Sequence, residues 1–196
     1  MSRKTFLSVR EICYIAMFTA LIAVLSPLAI PMPYGVPMTL QSFIIPFAAV
    51  VLGAKRGMIA AIAYVLLGAV GLPIFSNFGG GLAWLIGPTG GFLLAFPFYA
   101  RLAGWGADQG LRPVLAGSLF LGVTLFYTIG MVHFSLVTGR SIPEAFAIAV
   151  LPFLPTEAIK IALVWILGRN IRTAVEKSGA LPQGNLHKKH IDSLDK

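Results

Sequence analysis

Glu157 and Lys160 stand three residues apart in LPFLPTEAIKIALVWILG, residues 151–168, a stretch that is otherwise apolar. On a helix, residues three apart share a face, so a carboxylate and an ammonium point the same way. Lys160 precedes Arg169 by nine residues, about 14 Å of helix. If Arg169 marks a membrane boundary, Lys160 lies inside the hydrocarbon. An ion pair at that depth is costly and normally lines a cavity or substrate path. The bland alternative is a self-satisfied pair at a helix end that snorkels outward. Pro155 puts Glu157 in a first helical turn, where a carboxylate suits the helix dipole, but that account leaves Lys160 unexplained.

Other chemistry is poorly supported. No G-x-x-x-x-G-K-[ST] sequence exists, and GPTGG at 87–91 lacks the lysine, so ATP hydrolysis by a P-loop is excluded. There is no H-E-x-x-H, and His133 has no histidine companion in the apolar segments, so neither a zinc site nor any other metal site is expected. G-x-S-x-G is absent as well. His133 reads as a packing or rim residue. The lone Cys13 permits no intramolecular disulfide. These exclusions favour ligand capture without a cofactor. An intramembrane enzyme using Glu157, Lys160 and His133 for acid–base work is the rival of a different class.

The elements that must position the pair are membrane helices. Of 196 residues 57% are hydrophobic and 11% charged, with mean hydropathy +0.86, against roughly 45–50% apolar in a soluble domain. Several runs approach the roughly 20 residues that cross a bilayer. The expectation is an all-α membrane protein: a six-helix transmembrane bundle over residues 1–175 with a polar cytoplasmic tail at 176–196. The segments run from about Ile12 to Ala29, Thr39 to Gly53, Met58 to Val70, Pro88 to Trp105, Pro113 to Val137, and Pro143 or Pro152 to Gly168. The third is short, spanning only about 20 Å. Ser26-Pro27 and Ile30-Pro31 replace a small-residue cleavage site, so the first segment is expected to stay as an uncleaved helix.

Charge orients this arrangement. With both termini inside, Arg3, Lys4, Arg10, Lys55, Arg56, Arg101, Arg112, Arg169, Arg172, Lys177, Lys188, Lys189 and Lys196 are cytoplasmic, and of the 15 basic residues only Arg140 and Lys160 remain. Basic residues at helix ends set topology, so the net charge of +8 signals N-in, C-in orientation and not nucleic-acid binding. The outer connections 30–41 (IPMPYGVPMTLQ) and 71–91 (GLPIFSNFGGGLAWLIGPTGG) carry no charge and hold Phe75, Phe78 and Trp84. Backbone of this kind suits folding over a cavity, where protein or water satisfies it; flexible turns are the alternative. On the first segment, Ala16-x-x-x-Ala20, extended by Ala23, offers a flat face for another helix.

VPMTLQ (36–41), GLPIF (71–75), GPTGG with Phe92 (87–92) and PFLPTEAIK (152–160), in this order over nearly the whole chain, resemble the BioY family, the biotin-specific S-components of energy-coupling factor (ECF) transporters. The resemblance implies a six-helix bundle with a ligand site near the extracellular side, and partners comprising a membrane T-component and ATP-binding cassette ATPases. It also implies that Ala16 and Ala20 form the docking face for the T-component, and that Asn77, Glu157 and Lys160 contact biotin. The family usually has aspartate at the position of Glu157 and often tyrosine at that of Phe92. Biotin's ureido ring offers two N–H donors and a carbonyl on an apolar bicycle. Glu157 would accept an N–H, and Lys160 or Asn77 would donate to the carbonyl, or Lys160 would pair with the valerate. Phe75, Phe78 and Trp84 would wall the apolar part, with Thr39, Gln41 and Thr89 as further polar contacts. On this reading the chain sits in a prokaryotic cytoplasmic membrane. An S-component for another vitamin and a stand-alone biotin carrier are the alternatives.

Overall fold

In a computed structural model, residues 8–30, 32 and 36–177 are described. The basic residues Arg3, Lys4, Lys188, Lys189 and Lys196, and the tail from 178 onward, lie outside the described residues.

Helix α1 (Val9–Leu25) opens with a capping box, Ser8 with Glu11, and ends at Ser26. Pro27 follows, and proline cannot continue a helix. The first apolar run therefore stops short of Ala29. That residue instead belongs to a two-residue strand, β1 (Ala29–Ile30), paired antiparallel with β2 (Met38–Thr39), Ala29 opposite Thr39. Helix α2 (Gln41–Leu52) contains Pro46 and is buried along almost its whole length. Gly53, at φ 86°, ends it and turns directly into α3 (Ala54–Ala69); such a left-handed turn favours glycine.

α3 begins four residues earlier than the apolar pattern implies. Lys55 and Arg56 lie in its first turn and not in a loop, because the carboxylate of Asp108 accepts a hydrogen bond from the Ala54 N–H at 3.0 Å. A cap supplied from 54 residues away leaves no local trace in the sequence. The connection 71–91 is likewise structured: a 3₁₀ turn at Ser76–Phe78, helix α4 (Leu82–Ile86), and then α5 (Gly90–Asp108). Helix α6 (Arg112–Thr138) carries Pro113 in its first turn and stops at Gly139 in the left-handed region.

The last apolar run is broken. Helix α7 (Ile142–Ala149) starts on a Ser141/Glu144 capping box. A 3₁₀ turn at Leu151–Phe153 follows, then α8 (Leu154–Leu163), a π-turn at Val164–Gly168 and α9 (Arg169–Lys177). Both starts considered from sequence, Pro143 and Pro152, thus mark real boundaries. Pro152 and Pro155 lack the N–H groups that an uninterrupted helix would require.

α5 is the central helix, in contact with α2, α3 and α6, and Phe96 and Tyr99 are fully buried on it. Among the described residues, two helical stretches are long and apolar enough to cross a membrane, Arg112–Thr138 and Ile142–Lys177, each with hydropathy 1.8. The other main helices, α1, α2, α3 and α5, are 17, 12, 16 and 19 residues long.

Candidate functional site

Three segments distant in sequence meet at the Glu157–Lys160 pair. Helix α8 supplies the pair, Glu157 from its first turn and Lys160 from its last, and the first turn of α2 supplies Gln41 and Ser42. The C-terminal half of α6 supplies Phe126 and Tyr127. The pair does not meet face to face: Lys160 Nζ lies 3.7 Å from Glu157 Oε2. The Ser42 hydroxyl stands between them, accepting from Lys160 Nζ at 3.0 Å and donating to Glu157 Oε2 at 2.8 Å. The Tyr127 hydroxyl donates to the same carboxylate oxygen at 3.3 Å. Lys160 Nζ also donates to the Thr39 carbonyl at 2.8 Å, tying α8 to strand β2.

Glu157 is 2% exposed, and its Oε1 has no hydrogen-bond partner among the described residues. A buried carboxylate oxygen without a partner forfeits its solvation, a cost of about 1–3 kcal/mol or more. That makes it a ready acceptor for an N–H group. Beside this cluster Gln41 Nε2 donates to Tyr64 Oη at 2.6 Å, Tyr64 donates to the Ile74 carbonyl, and Thr39 Oγ1 donates to Gln41 Oε1.

Several of these groups line a cavity of about 60 Å³. Thr39, Gln41, Ser42, Ser76, Thr89 and Lys160 give it a polar side, and Val36, Pro37, Phe92, Leu93, Phe96, Phe126, Tyr127, Ala149 and Phe153 an apolar one. Phe92, Phe126 and Tyr127 pack as a cluster of rings 5.1–6.1 Å apart. A larger groove of about 560 Å³ runs along the other side of Tyr127 between α6 and α7–α8, and Glu157 contributes to its lining.

Of the residues singled out from sequence, Thr39, Gln41, Thr89, Phe92 and Lys160 line the cavity together, with Glu157 joined to them through Ser42 and Tyr127. The remaining four are placed differently. Phe75 is fully buried outside the cavity lining, edge-on to Tyr64 and tilted against Trp84. Phe78 is 67% exposed. Asn77 is exposed too, at φ 53° in the 3₁₀ turn, with its backbone N–H bonded to the Pro27 carbonyl. Asparagine tolerates that left-handed conformation, so the residue type has a backbone reason here, while its neighbour Ser76 faces the cavity. On α1, Ala16 and Ala20 are exposed, opposite the buried Ile15, Phe18, Thr19 and Ile22.

Ser42, Ser76, Tyr127 and the rings of Phe96, Phe126 and Phe153 were not singled out from sequence. Hydroxyls and aromatics within apolar helices are commonplace. The one signal available was position: Ser42 follows Gln41 in the first turn after VPMTLQ.

A helical membrane bundle enclosing a small, mostly apolar cavity with one buried, charged wall belongs to the class of membrane proteins that hold a small molecule. Comparison with known proteins sharpens this. The BioY family model matches residues 1–177, and the chain belongs to that family. It is 34% identical over 163 residues to the probable biotin transporter BioY of Pyrococcus horikoshii, covering 83% of this chain and 96% of that one. It is 40% identical over 156 residues to the biotin transporter BioY2 of Lactococcus lactis, covering 79% and 85%. Among solved structures it is similar to the S-component for biotin from an ECF-type ABC transporter, with TM-score 0.78, 28% identity, and coverage of 84% of this chain and 92% of that one.

Proposed function

We infer that this chain is the substrate-specific membrane subunit that binds biotin from outside the cell and delivers it inward as part of an ECF-type ABC transporter, and that it is not an enzyme. Family membership and the named relatives support the ligand. The structural observation that carries the reading is a mostly apolar cavity lined by Ser42 and Lys160, with the buried Glu157 joined to them through the Ser42 hydroxyl. Biotin presents the matching surface: N–H donors for Glu157, an acceptor for Lys160, and an apolar bicycle for Phe92, Phe96, Phe126 and Phe153.

The contact set we propose is Lys160, Glu157, Thr39, Gln41, Thr89 and Phe92, with Phe75 and Trp84 supporting the floor. Asn77 and Phe78 join it only if the 76–78 turn rearranges. A ligand of this size occupies a site of about 300 Å³ or more, against the 60 Å³ found, so capture involves parting of the cavity walls. The bundle crosses the cell membrane six times with both termini cytoplasmic, over residues 1–175 with a polar tail at 176–196. This orientation rests on the basic residues gathered at one end and puts the cavity near the extracellular face. A T-component docks on Ala16 and Ala20, and partner ATPases supply the energy.

The test is calorimetry on the purified protein in detergent. Stoichiometric heat and a thermal shift with biotin are expected, with thiamine and riboflavin inert; neither heat nor shift with biotin would overturn the reading, and a response to another vitamin would reassign the ligand.

A further inference from the structure

His133, on the outer half of α6, takes no part in the buried charge cluster, yet it grips the opposite edge of the cavity. Its Nε2 lies 3.0 Å from the Gly87 carbonyl oxygen. A carbonyl only accepts, so Nε2 carries the hydrogen and donates. The same carbonyl accepts the Gly90 N–H at 2.9 Å, and the Thr89 carbonyl accepts from Phe92 N–H at 3.1 Å. Gly87 therefore anchors the turn that starts α5, and that turn presents Thr89 and Phe92 to the cavity.

Two close approaches hold the turn against α6. A Cβ on Gly91 would collide with the His133 side chain, coming within 2.8 Å of its Cγ and 3.0 Å of the Ile129 carbonyl. One helical turn away the roles reverse, and a Cβ on Gly130 would fall on the Phe92 ring. α5 and α6 are thus interlocked, ring over glycine in each direction. Packing fixes how near the turn lies to α6; the His133 hydrogen bond fixes where along α6 it sits.

We propose that His133 is a positioning residue for the ligand site: its Nε2–H holds the Gly87 carbonyl, and through the 87–92 turn sets Thr89 and Phe92 against the bound molecule. The proposal rests on the biotin-binding reading. It assigns His133 no contact with the ligand and no metal. A ring of similar shape without the donor, and a donor without the ring, separate hydrogen bonding from packing.

The experiment compares wild type, His133→Phe and His133→Gln in detergent, measuring biotin Kd, the melting temperature without biotin, and hydrogen exchange over residues 87–93. His133→Phe is expected to raise Kd roughly three- to tenfold, the scale of one lost hydrogen bond, and to speed exchange at Gly90 and Phe92. His133→Gln, whose amide can donate to Gly87, is expected to restore both to within about twofold. Unchanged exchange in His133→Phe overturns the proposal whether or not biotin binds. Equal loosening in both variants, with equal falls in melting temperature, overturns it in favour of packing alone. Changed exchange with unchanged Kd overturns the link to the ligand. If wild type binds no biotin while the exchange pattern holds, the tether stands and the biotin reading falls.

Discussion

Ser42 matters to the site out of proportion to its size. Its hydroxyl accepts from Lys160 and donates to Glu157, so it bridges two charges that are 3.7 Å apart, beside the separate bonds from Lys160 to the Thr39 carbonyl and from Tyr127 to Glu157. Removing one member of a buried hydrogen-bonded charge cluster takes a partner from the others, at about 1–3 kcal/mol or more. Lys160→Ala and Glu157→Ala are each expected to weaken biotin binding at least tenfold, about 1.4 kcal/mol. Ser42→Ala should weaken it as well, by a smaller factor, since the charges survive and only their alignment is lost. Titration of biotin by calorimetry checks all three, and wild-type affinity in a folded Lys160→Ala protein would show the pair to be structural. Tyr127 bears on the two departures from the family pattern. The resemblance places a tyrosine often where Phe92 stands and an aspartate where Glu157 stands. Here Tyr127 sets its ring edge-on to Phe92 and its hydroxyl on the carboxylate.

At the scale of the elements, α1 presents two unlike faces. Ile15, Phe18, Thr19 and Ile22 are buried in the bundle, and the Thr19 hydroxyl donates to its own helix at Ile15. Ala16 and Ala20 face outward, exposed among the described residues. Small residues let a partner helix approach closely, so Ala16→Trp and Ala20→Trp are expected to abolish co-purification with the T-component and ATPases while leaving biotin affinity unchanged, neither residue being part of the cavity. Assembly that survives both substitutions would move the interface elsewhere. The apolar runs were legible in the sequence because hydrophobic spacing is a local pattern. Helix ends were less so. The start of α3 depends on Asp108, and the strand that follows the first run on pairing of Ala29 with Thr39; both are contacts between segments that only the fold brings together. The site shows the same division. Lys160 was conspicuous as a charge in an apolar run, whereas Ser42 is a common residue type whose role comes from partners more than 100 positions away. Asn77 illustrates the converse: a polar residue in an uncharged connection whose placement answers to backbone conformation.

The whole molecule divides its polar interactions between two ends, and this predicts that pH acts on one without the other. Far from the cavity, Glu11 joins α1 to α3 through Arg56 Nε at 2.8 Å, while Asp108 joins α5 to α3 and to Arg172 of α9. The Ser8 backbone N–H, followed by the Arg56 guanidinium, holds the Glu11 carboxyl down at about 2 from its ordinary 4.5. The fold thus stabilises the ionised form. The contribution is complete above pH 4.5 and is lost as pH falls from there toward 2. The pair is reached by solvent, with 25% and 18% of the two side chains exposed, so its worth is about 0–1 kcal/mol, or up to roughly 2–4 °C of melting temperature for a chain of this size. Melting curves of wild type and Glu11→Gln in detergent are expected to differ by that margin at pH 6 and to converge as the pH is lowered toward 3. Biotin affinity at pH 6 should be the same for both, since Glu11 lies at the opposite end of the bundle from Lys160. An offset that stays constant from pH 6 to pH 3 would mean that Gln acts through something other than the lost charge. A parallel loss of biotin affinity would mean that the two ends of the bundle are coupled.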